Sequence, residues 1–268
     1  MPSIRGEEAI AMYRNYIFYN PYAGNHEGRE NAEILAVVYD NPVCYDMTWM
    51  TSYEDFWEQM DESDQIILCG GDGTLNFFAN WIRGKSIPAP VYFYSIGHGD
   101  DFVRDIGKRR GDSPYFCIDD YIKDLPEVTI KDESMLFVNG LYFGPASGNW
   151  KEISHHVSTD VVVRVDGEVY SFENVQMISV SKGRYCNSGM LVAPEQDRLD
   201  SLLTIKIMYG FGKVRMYHVH SAMMKEKKLR NKKKIVTITG KKISMVFSHS
   251  VSLNVDGKDI YDIQEFSI

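Results

Sequence analysis

Gln65-Ile66-Ile67-Leu68-Cys69-Gly70-Gly71-Asp72-Gly73-Thr74-Leu75-Asn76-Phe77-Phe78-Ala79-Asn80-Trp81-Ile82 reads as strand, bend and helix. Gln65 to Cys69 is apolar without alternation, as suits a strand covered on both faces of a parallel sheet. Gly70-Gly71-Asp72-Gly73 is too rich in glycine for a regular element to absorb. From Thr74 to Ile82 the apolar residues fall at helical intervals. The same alternation extends to either side. Tyr16 to Tyr19 is a short strand that stops at the turn Asn20-Pro21-Tyr22-Ala23-Gly24, and Glu27 to Val38 follows as a helix. A second helix is expected over Thr51 to Met60, with Ser52 as its cap. Val91 to Ile96 is again a strand, followed by Gly97-His98-Gly99-Asp100-Asp101 and a short helix through Phe102, Val103 and Ile106. This βα alternation predicts a doubly wound α/β domain over residues 1–126.

Past Pro126 the texture changes. Strands are expected at Val128 to Ile130, Ser134 to Phe143, Val161 to Val165, Glu168 to Phe172, Gln176 to Val180, Leu202 to Tyr209, Ile235 to Thr239, Ser244 to Phe247 and Val251 to Val255. Asp166-Gly167 and Asp256-Gly257 stand where two-residue hairpins need positive φ. Residues 127–268 are therefore read as an antiparallel β-sandwich domain. A chain of 268 residues with 44% hydrophobic content has material for two such cores.

Charge narrows the function classes. The formal net charge is −8, which disfavours a general nucleic-acid binder, since that role needs a dominant basic face. The segment Lys225 to Lys242 runs against this trend, with nine Lys or Arg and the single Glu226. It reads either as a solvated basic loop or as a dock for an anionic lipid surface. Cys44, Cys69, Cys117 and Cys186 show neither zinc spacing nor a disulfide framework. With no run of about 18 apolar residues and no secretion-type leader, a cytoplasmic protein that visits a membrane periphery is expected.

A strand that ends in Gly70-Gly71-Asp72-Gly73 and enters a helix brings bare backbone and a helix N-terminus to one point, which attracts phosphate. It is not a Walker A loop, because no Lys-Ser or Lys-Thr follows, and Asn76 stands where a dinucleotide fingerprint has its third glycine. Asp72 beside a phosphate implies an intervening cation. Asn20 to Gly24 and Gly97 to Asp101 end two further strands of the same half. In open α/β sheets ligands lie beyond the carboxyl ends of the strands. Together the three loops point to a nucleoside polyphosphate with a divalent metal.

These residues resemble the diacylglycerol kinase catalytic-domain family, which includes sphingosine and ceramide kinases and bacterial soluble lipid kinases. Asn20 to Gly24 is similar to its first nucleotide loop, Gly70 to Asn76 to its signature, and Gly97-His98-Gly99-Asp100-Asp101-Phe102-Val103-Arg104 to its third loop. The likeness continues through Ser181-Lys182-Gly183-Arg184-Tyr185, Ser188-Gly189-Met190, Ala193-Pro194, Asp200 and Asn254-Val255-Asp256-Gly257. The resemblance implies an NAD kinase-like or diacylglycerol kinase-like fold, ATP and Mg2+ as cofactors, and transfer of a γ-phosphoryl group to a lipid hydroxyl. It implies ATP contacts at Asn20, Pro21, Tyr22, Ala23, Gly24, Gly70, Gly71, Asp72, Gly73, Thr74, Leu75, Asn76 and His98, with Thr51 as an additional one. It further implies a magnesium ion in the β domain on the Asp200 carboxylate and the backbone carbonyls of Asp197 and Leu202. The expected partners are the lipid substrate, an anionic membrane surface and a second copy of the chain, without nucleic acid.

The family pattern breaks at the acceptor side. Lys258 stands where the family has the glutamate that takes the proton from the lipid hydroxyl. A lysine ordinarily keeps its proton to about pH 10 and does not simply replace a carboxylate. His98 stands for Thr, Asp100 for Asn, Thr129 for Asp and Ser201 for Gly. Two readings follow: a lipid kinase in which Asp72 organises the metal and Lys258 neutralises the migrating phosphoryl group, or a catalytically impaired nucleotide- or lipid-binding protein of the same fold.

Overall fold

The computed structural model describes residues 13–52, 57, 60–96, 101–107, 115–145, 147–227 and 233–268. The first part of the chain gives β1 (Asn15–Tyr19), α1 (Ala23–His26), α2 (Gly28–Val38), β2 (Pro42–Asp46), a 3-10 helix (Met47–Ser52), β3 (Gln65–Gly70), α3 (Asp72–Trp81), β4 (Val91–Ser95), α4 (Asp101–Asp105), β5 (Tyr115–Cys117) and α5 (Asp119–Ile122). Five strands form one sheet in the order β2-β1-β3-β4-β5, parallel except for β5, which runs antiparallel to β4 at the edge. Ile66, Ile67, Leu68 and Cys69 are all fully buried because both faces of β3 are covered. Ile17, Ile67 and Cys69 pack with Ala32 and Leu35 of α2 on one face. Phe18, Ile66 and Leu68 pack with Leu75 and Phe78 of α3 on the other. This two-sided burial is the doubly wound arrangement that the continuous apolar strand required.

Where a helix was expected over Thr51 to Met60, the described part is the 3-10 helix Met47–Ser52. Asp46 accepts the backbone N–H of Thr48 at 2.9 Å and its hydroxyl at 2.6 Å, so the tight turn starts directly from the strand end. Residues 53–56 and 58–59 lie outside the described residues.

The second part comprises β6 (Glu127–Ile130), β7 (Glu133–Leu136), β8 (Gly140–Phe143), α6 (Trp150–His155), β9 (Thr159–Val165), β10 (Glu168–Ser181), β11 (Tyr185–Cys186), β12 (Met190–Leu191), β13 (Leu203–Tyr209), α7 (Lys213–Met224), β14 (Ile235–Gly240), β15 (Ile243–Val255) and β16 (Lys258–Ser267). Two long strands fold the main sheet into layers. The start of β10 pairs with β9, while its end pairs with β8 and β13. β15 likewise pairs with β9 through Ile243 to Phe247 and with β8 through Asn254 and Val255. Register shifts lie where the partners change, after Phe172 and after Val246, because an extra residue bends a strand. The sequence reading divides each of these strands in two. Conversely, the single strand expected over Ser134 to Phe143 is broken after Leu136, for a reason found in the site below. An aliphatic core that includes Val161, Val163, Ile178, Val180, Ile205, Ile207 and Leu253 fills the interior.

Candidate functional site

Three strands end level with one another, and their loops meet. In the sheet register Tyr19 is opposite Cys69, and Gly70 is opposite Ser95. Asn20 N donates to Cys69 O at 3.4 Å and Ile96 N to Gly70 O at 3.1 Å, which extends the ladder one step past the strands. The first loop is shaped by Asn20, whose side-chain oxygen accepts the Tyr22 N–H at 3.0 Å. Gly24 is left-handed, φ +59, and its Cα faces the Ile96 carbonyl so closely that a Cβ would come within 2.9 Å. The first loop therefore abuts the root of the third. Gly97, His98, Gly99 and Asp100 lie outside the described residues. At the glycine bend, Gly71 caps α3 in extended conformation and the helix begins at Asp72, so its positive end faces the rim.

Beside this rim a cleft of about 870 Å³ opens between the two halves, within the usual size of small-molecule sites. Asp72, Gly73, Asn76, Phe77, Asn80 and Asp101 line it from the α/β side. Met135, Asn139, Gly140, Cys186, Asn187, Ser188, Asn254, Asp256, Gly257 and Lys258 line it from the β side.

The acidic side chains of the cleft act as ties between elements. Asp72 accepts Asp101 N at 2.6 Å and Phe102 N at 3.2 Å, so it caps α4 with both oxygens. The sequence argument that Asp72 requires a cation therefore needs correction: helix N–H groups face this carboxylate directly. Asp101 in turn accepts Ser188 N at 3.1 Å and Gly189 N at 2.5 Å from the β half. Burial pushes its carboxyl up to about 6, against the pull of those two donors. Asp256 is half-buried at a hairpin turn and accepts Asn139 N and Gly140 N at 2.9 Å each, Asn76 Nδ2 at 2.8 Å, and Val138 N. Burial raises its pKa too, partly offset by these donors. The missing stretch of strand between β7 and β8 is explained here: Val138, Asn139 and Gly140 give their N–H groups to a carboxylate instead of to a neighbouring strand.

A second cluster backs the first. Asp105, at the end of α4, pairs with Arg184 at 2.8 Å and with Arg198 at 2.6 Å. Arg198 also donates to Val138 O and to Asn139 Oδ1, both at 2.6 Å, and lies over the Phe102 ring. Asp72, Asp101, Asp256 and Arg184 stand in the quoted motifs, but nothing in those motifs says that they pair with one another or with Arg198. Arg198 stands in the polar stretch Glu195-Gln196-Asp197-Arg198-Leu199-Asp200, where nothing marks it, and sequence reading passes it over together with Asp105, Asn80 and Phe77.

The metal site expected on Asp197, Asp200 and Leu202 is not matched by its donor set. Gln196 Nε2 donates to Asp197 O at 2.8 Å and to Leu202 O at 2.9 Å. Asp200 Oδ1 accepts Leu202 N at 3.0 Å, and the Lys182 ammonium donates to Asp200 O at 2.9 Å. Two of the three expected ligands, Asp197 O and Leu202 O, thus accept from one amide nitrogen, one oxygen of the Asp200 carboxylate accepts a backbone N–H, and the ammonium sits on the neighbouring Asp200 carbonyl. Among the described residues no group of three His, Cys, Asp or Glu side chains gathers to hold a metal.

The other expected positions fall as follows. Asn20, Pro21, Tyr22, Ala23 and Gly24 form the first loop on the rim, and Gly70, Gly71, Asp72 and Gly73 form the bend. Thr74 and Leu75 lie in the first turn of α3, where both side chains are buried and both N–H groups are bonded to Gly71 O at 3.0 Å. Asn76 lines the cleft and crosses to Asp256 and Leu136 O. Thr51 falls in the 3-10 helix after β2, with its side chain outside the description, and His98 is undescribed. Lys258 opens β16 on the cleft wall.

Comparison with known proteins agrees with this architecture. The family model described as diacylglycerol kinase catalytic domain matches residues 14–126, and that described as YegS C-terminal NAD kinase beta sandwich-like domain matches residues 133–263. Among solved structures, a diacylglycerol kinase from Bacillus anthracis str. Sterne is 18% identical, with a TM-score of 0.67 over 94% of this chain and 92% of that one. Two further structures from the same organism are 16% identical, with TM-scores of 0.66 and 0.67 over 94% of this chain and 93% of theirs. At these identities the likeness speaks to the fold. No curated protein matches.

Proposed function

Because the chain belongs to the diacylglycerol kinase catalytic-domain family and carries its YegS-type second domain, we propose that it transfers the γ-phosphoryl group of ATP, taken as the magnesium complex, to the hydroxyl of a lipid. The cleft supports this reading most directly, since the helix end at Asp72 and Gly73, Asn76 and Lys258 all open into one space. The nucleotide lies along Asn20 to Gly24 and the glycine bend, with its phosphates at the N-terminus of α3. The acceptor hydroxyl enters from the β side. Phosphoryl transfer rests mainly on positioning and charge neutralisation. Asp72 contributes by fixing α4, and Lys258 by its positive charge beside the migrating group. The test is incubation of folded protein with radiolabelled ATP, magnesium and separate vesicles containing diacylglycerol, sphingoid base or phosphatidylglycerol. Label is expected in one of these lipids; transfer to none of them overturns the reading.

One observation favours a second reading, a silent nucleotide- or lipid-binding protein. The carboxylates next to Lys258 are engaged: Asp256 by its four donors, and Asp259 by Asn254 Nδ2 at 2.7 Å. Replacing Lys258 with Glu separates the two readings. A gain in turnover of about tenfold or more is expected if a base is the missing element, by the usual size of general-base effects. ATP binding by calorimetry, with no turnover in either protein, supports the silent reading.

Access to a lipid is interfacial on this proposal. Among the described residues no helix is long and apolar enough to cross a membrane. Trp150, Val157, Val214, Tyr217 and Met224 are exposed on or beside α6 and α7, and Trp150 meets Tyr217 edge-on at 6.2 Å. Lys151, Lys213, Arg215, Lys225 and Lys227 accompany them. Aromatic rings among basic residues suit an anionic lipid surface. The basic segment starts close to the cleft: Glu226 pairs with Arg104 at 3.9 Å, and Arg104 donates to Gly189 O at 3.1 Å, next to the wall residue Ser188.

A further inference from the structure

The loop from Glu195 to Leu202 holds Arg198 in place, and through it Asp105, Val138 and Asn139 behind the cleft. The loop has a closing element of its own, because the Asp197 and Leu202 carbonyls both point at the buried Gln196 amide. Both partners of the Gln196 amide are carbonyls, which can only accept, so chemistry fixes the orientation of the amide with its NH2 toward them. Gln196, Lys182 and Arg198 are 8%, 5% and 5% exposed, so the donor side of these bonds is shielded from water. A hard cation needs oxygens converging at about 2.0–2.6 Å on a common point. Here two of the carbonyls converge on a nitrogen, and the Lys182 ammonium adds a like charge that disfavours a second cation nearby.

We infer that Gln196 is the closing element of this loop, standing where the family resemblance implies a magnesium ion, and that the fold of this chain is independent of a divalent cation there. The Gln196 NH2 supplies two hydrogen bonds in place of two metal–oxygen contacts, and Lys182 supplies the positive charge. Gln196 is thus a positioning residue, acting on the cleft through Arg198.

Thermal unfolding of the full, nucleotide-free chain tests the inference without reference to activity. Wild-type Tm is expected to agree within about 1 °C in EDTA, magnesium and calcium. Gln196→Met, which keeps the volume and removes both donors, is expected to lower Tm by about 4–8 °C. Gln196→Ala serves the same purpose, with a larger loss. A wild-type gain of more than about 2 °C in magnesium or calcium that disappears in Asp200→Asn overturns the inference; a gain that survives in Asp200→Asn places the ion elsewhere and leaves it standing. An unchanged Tm in both Gln196 variants overturns it as well. If neither variant folds, the contrast of wild type with Asp200→Asn in EDTA and magnesium still decides.

Discussion

Burial pushes the Asp101 carboxyl up to about 6, against the pull of two backbone donors from the opposite half. Below about pH 4 it is neutral in both the folded and the unfolded chain. Between about 4 and 6 the folded chain holds a proton that the unfolded chain has released, so rising pH weakens the fold, and above 6 the whole cost is present. Replacing Asp101 with Asn leaves a fixed offset from its altered hydrogen bonding and removes the titration. The stability difference, variant minus wild type, should therefore rise by about 2–3 kcal/mol between pH 4 and pH 6 in urea unfolding. A flat difference would mean that Asp101 ionises at an ordinary value. At this scale the sequence discloses identities but not roles. Asp72 is legible as an oddity within a glycine bend, while its actual partners come from another loop, 29 and 30 residues away. Arg198 is invisible for the same reason, since Asp105, Val138 and Asn139 are all remote in the chain, whereas Gln196 is missed because its bonds go to backbone carbonyls of its own loop, which no residue identity announces.

Among elements, the packing of α2 onto the first loop allows a sharp test. A Cβ on Gly28 would lie 1.8 Å from the Asn20 carbonyl oxygen, a backbone atom that cannot rotate away. Gly28→Ala must push the loop and helix apart. A loss of about 1–3 kcal/mol in chemical denaturation is expected, with weaker ATP binding by calorimetry because the loop carries Asn20 to Gly24. Unchanged stability would show that the contact is looser than the geometry states. The βα half is legible in sequence because each strand is short, apolar and ended by a turn. The β half is less so. Its two longest strands change partners midway and carry bulges, so periodicity breaks where the chain continues. α7 lacks a clean apolar stripe, being covered on one side by Met216, His220 and Met223 only. β16 alternates too weakly to stand out, with only Ile263 and Phe266 buried.

For the molecule as a whole, charge and apolar exposure are both uneven. A net −8 chain concentrates nine basic residues between Lys225 and Lys242, a segment that follows directly on α7, whose Tyr217 meets Trp150 of α6. Each basic residue near an anionic surface contributes up to about 1 kcal/mol. Sedimentation with phosphatidylglycerol vesicles is expected to fall steeply with added salt. Lys225→Glu with Lys227→Glu should weaken it by about tenfold or more, and neutral phosphatidylcholine vesicles should retain little protein. Binding that ignores both salt and lipid charge would contradict the proposal. The two-part organisation was legible from the change in texture near Pro126; how firmly the parts are joined was not, because that depends on single side chains crossing the seam.

One of those seams sets how the halves can behave on their own. Asn76 and Asn80, one turn apart on α3, reach across to Asp256 and to both backbone groups of Leu136, so the helix serves as a shared wall. A backbone nick at the junction would leave the pieces clasped. A fragment lacking α3 would expose the Asp256 carboxylate without its asparagine, and swinging the halves apart as rigid flaps would tear that helix from one of its two owners. Any breathing of the cleft must therefore come from its lips, with α3 as the fixed spine.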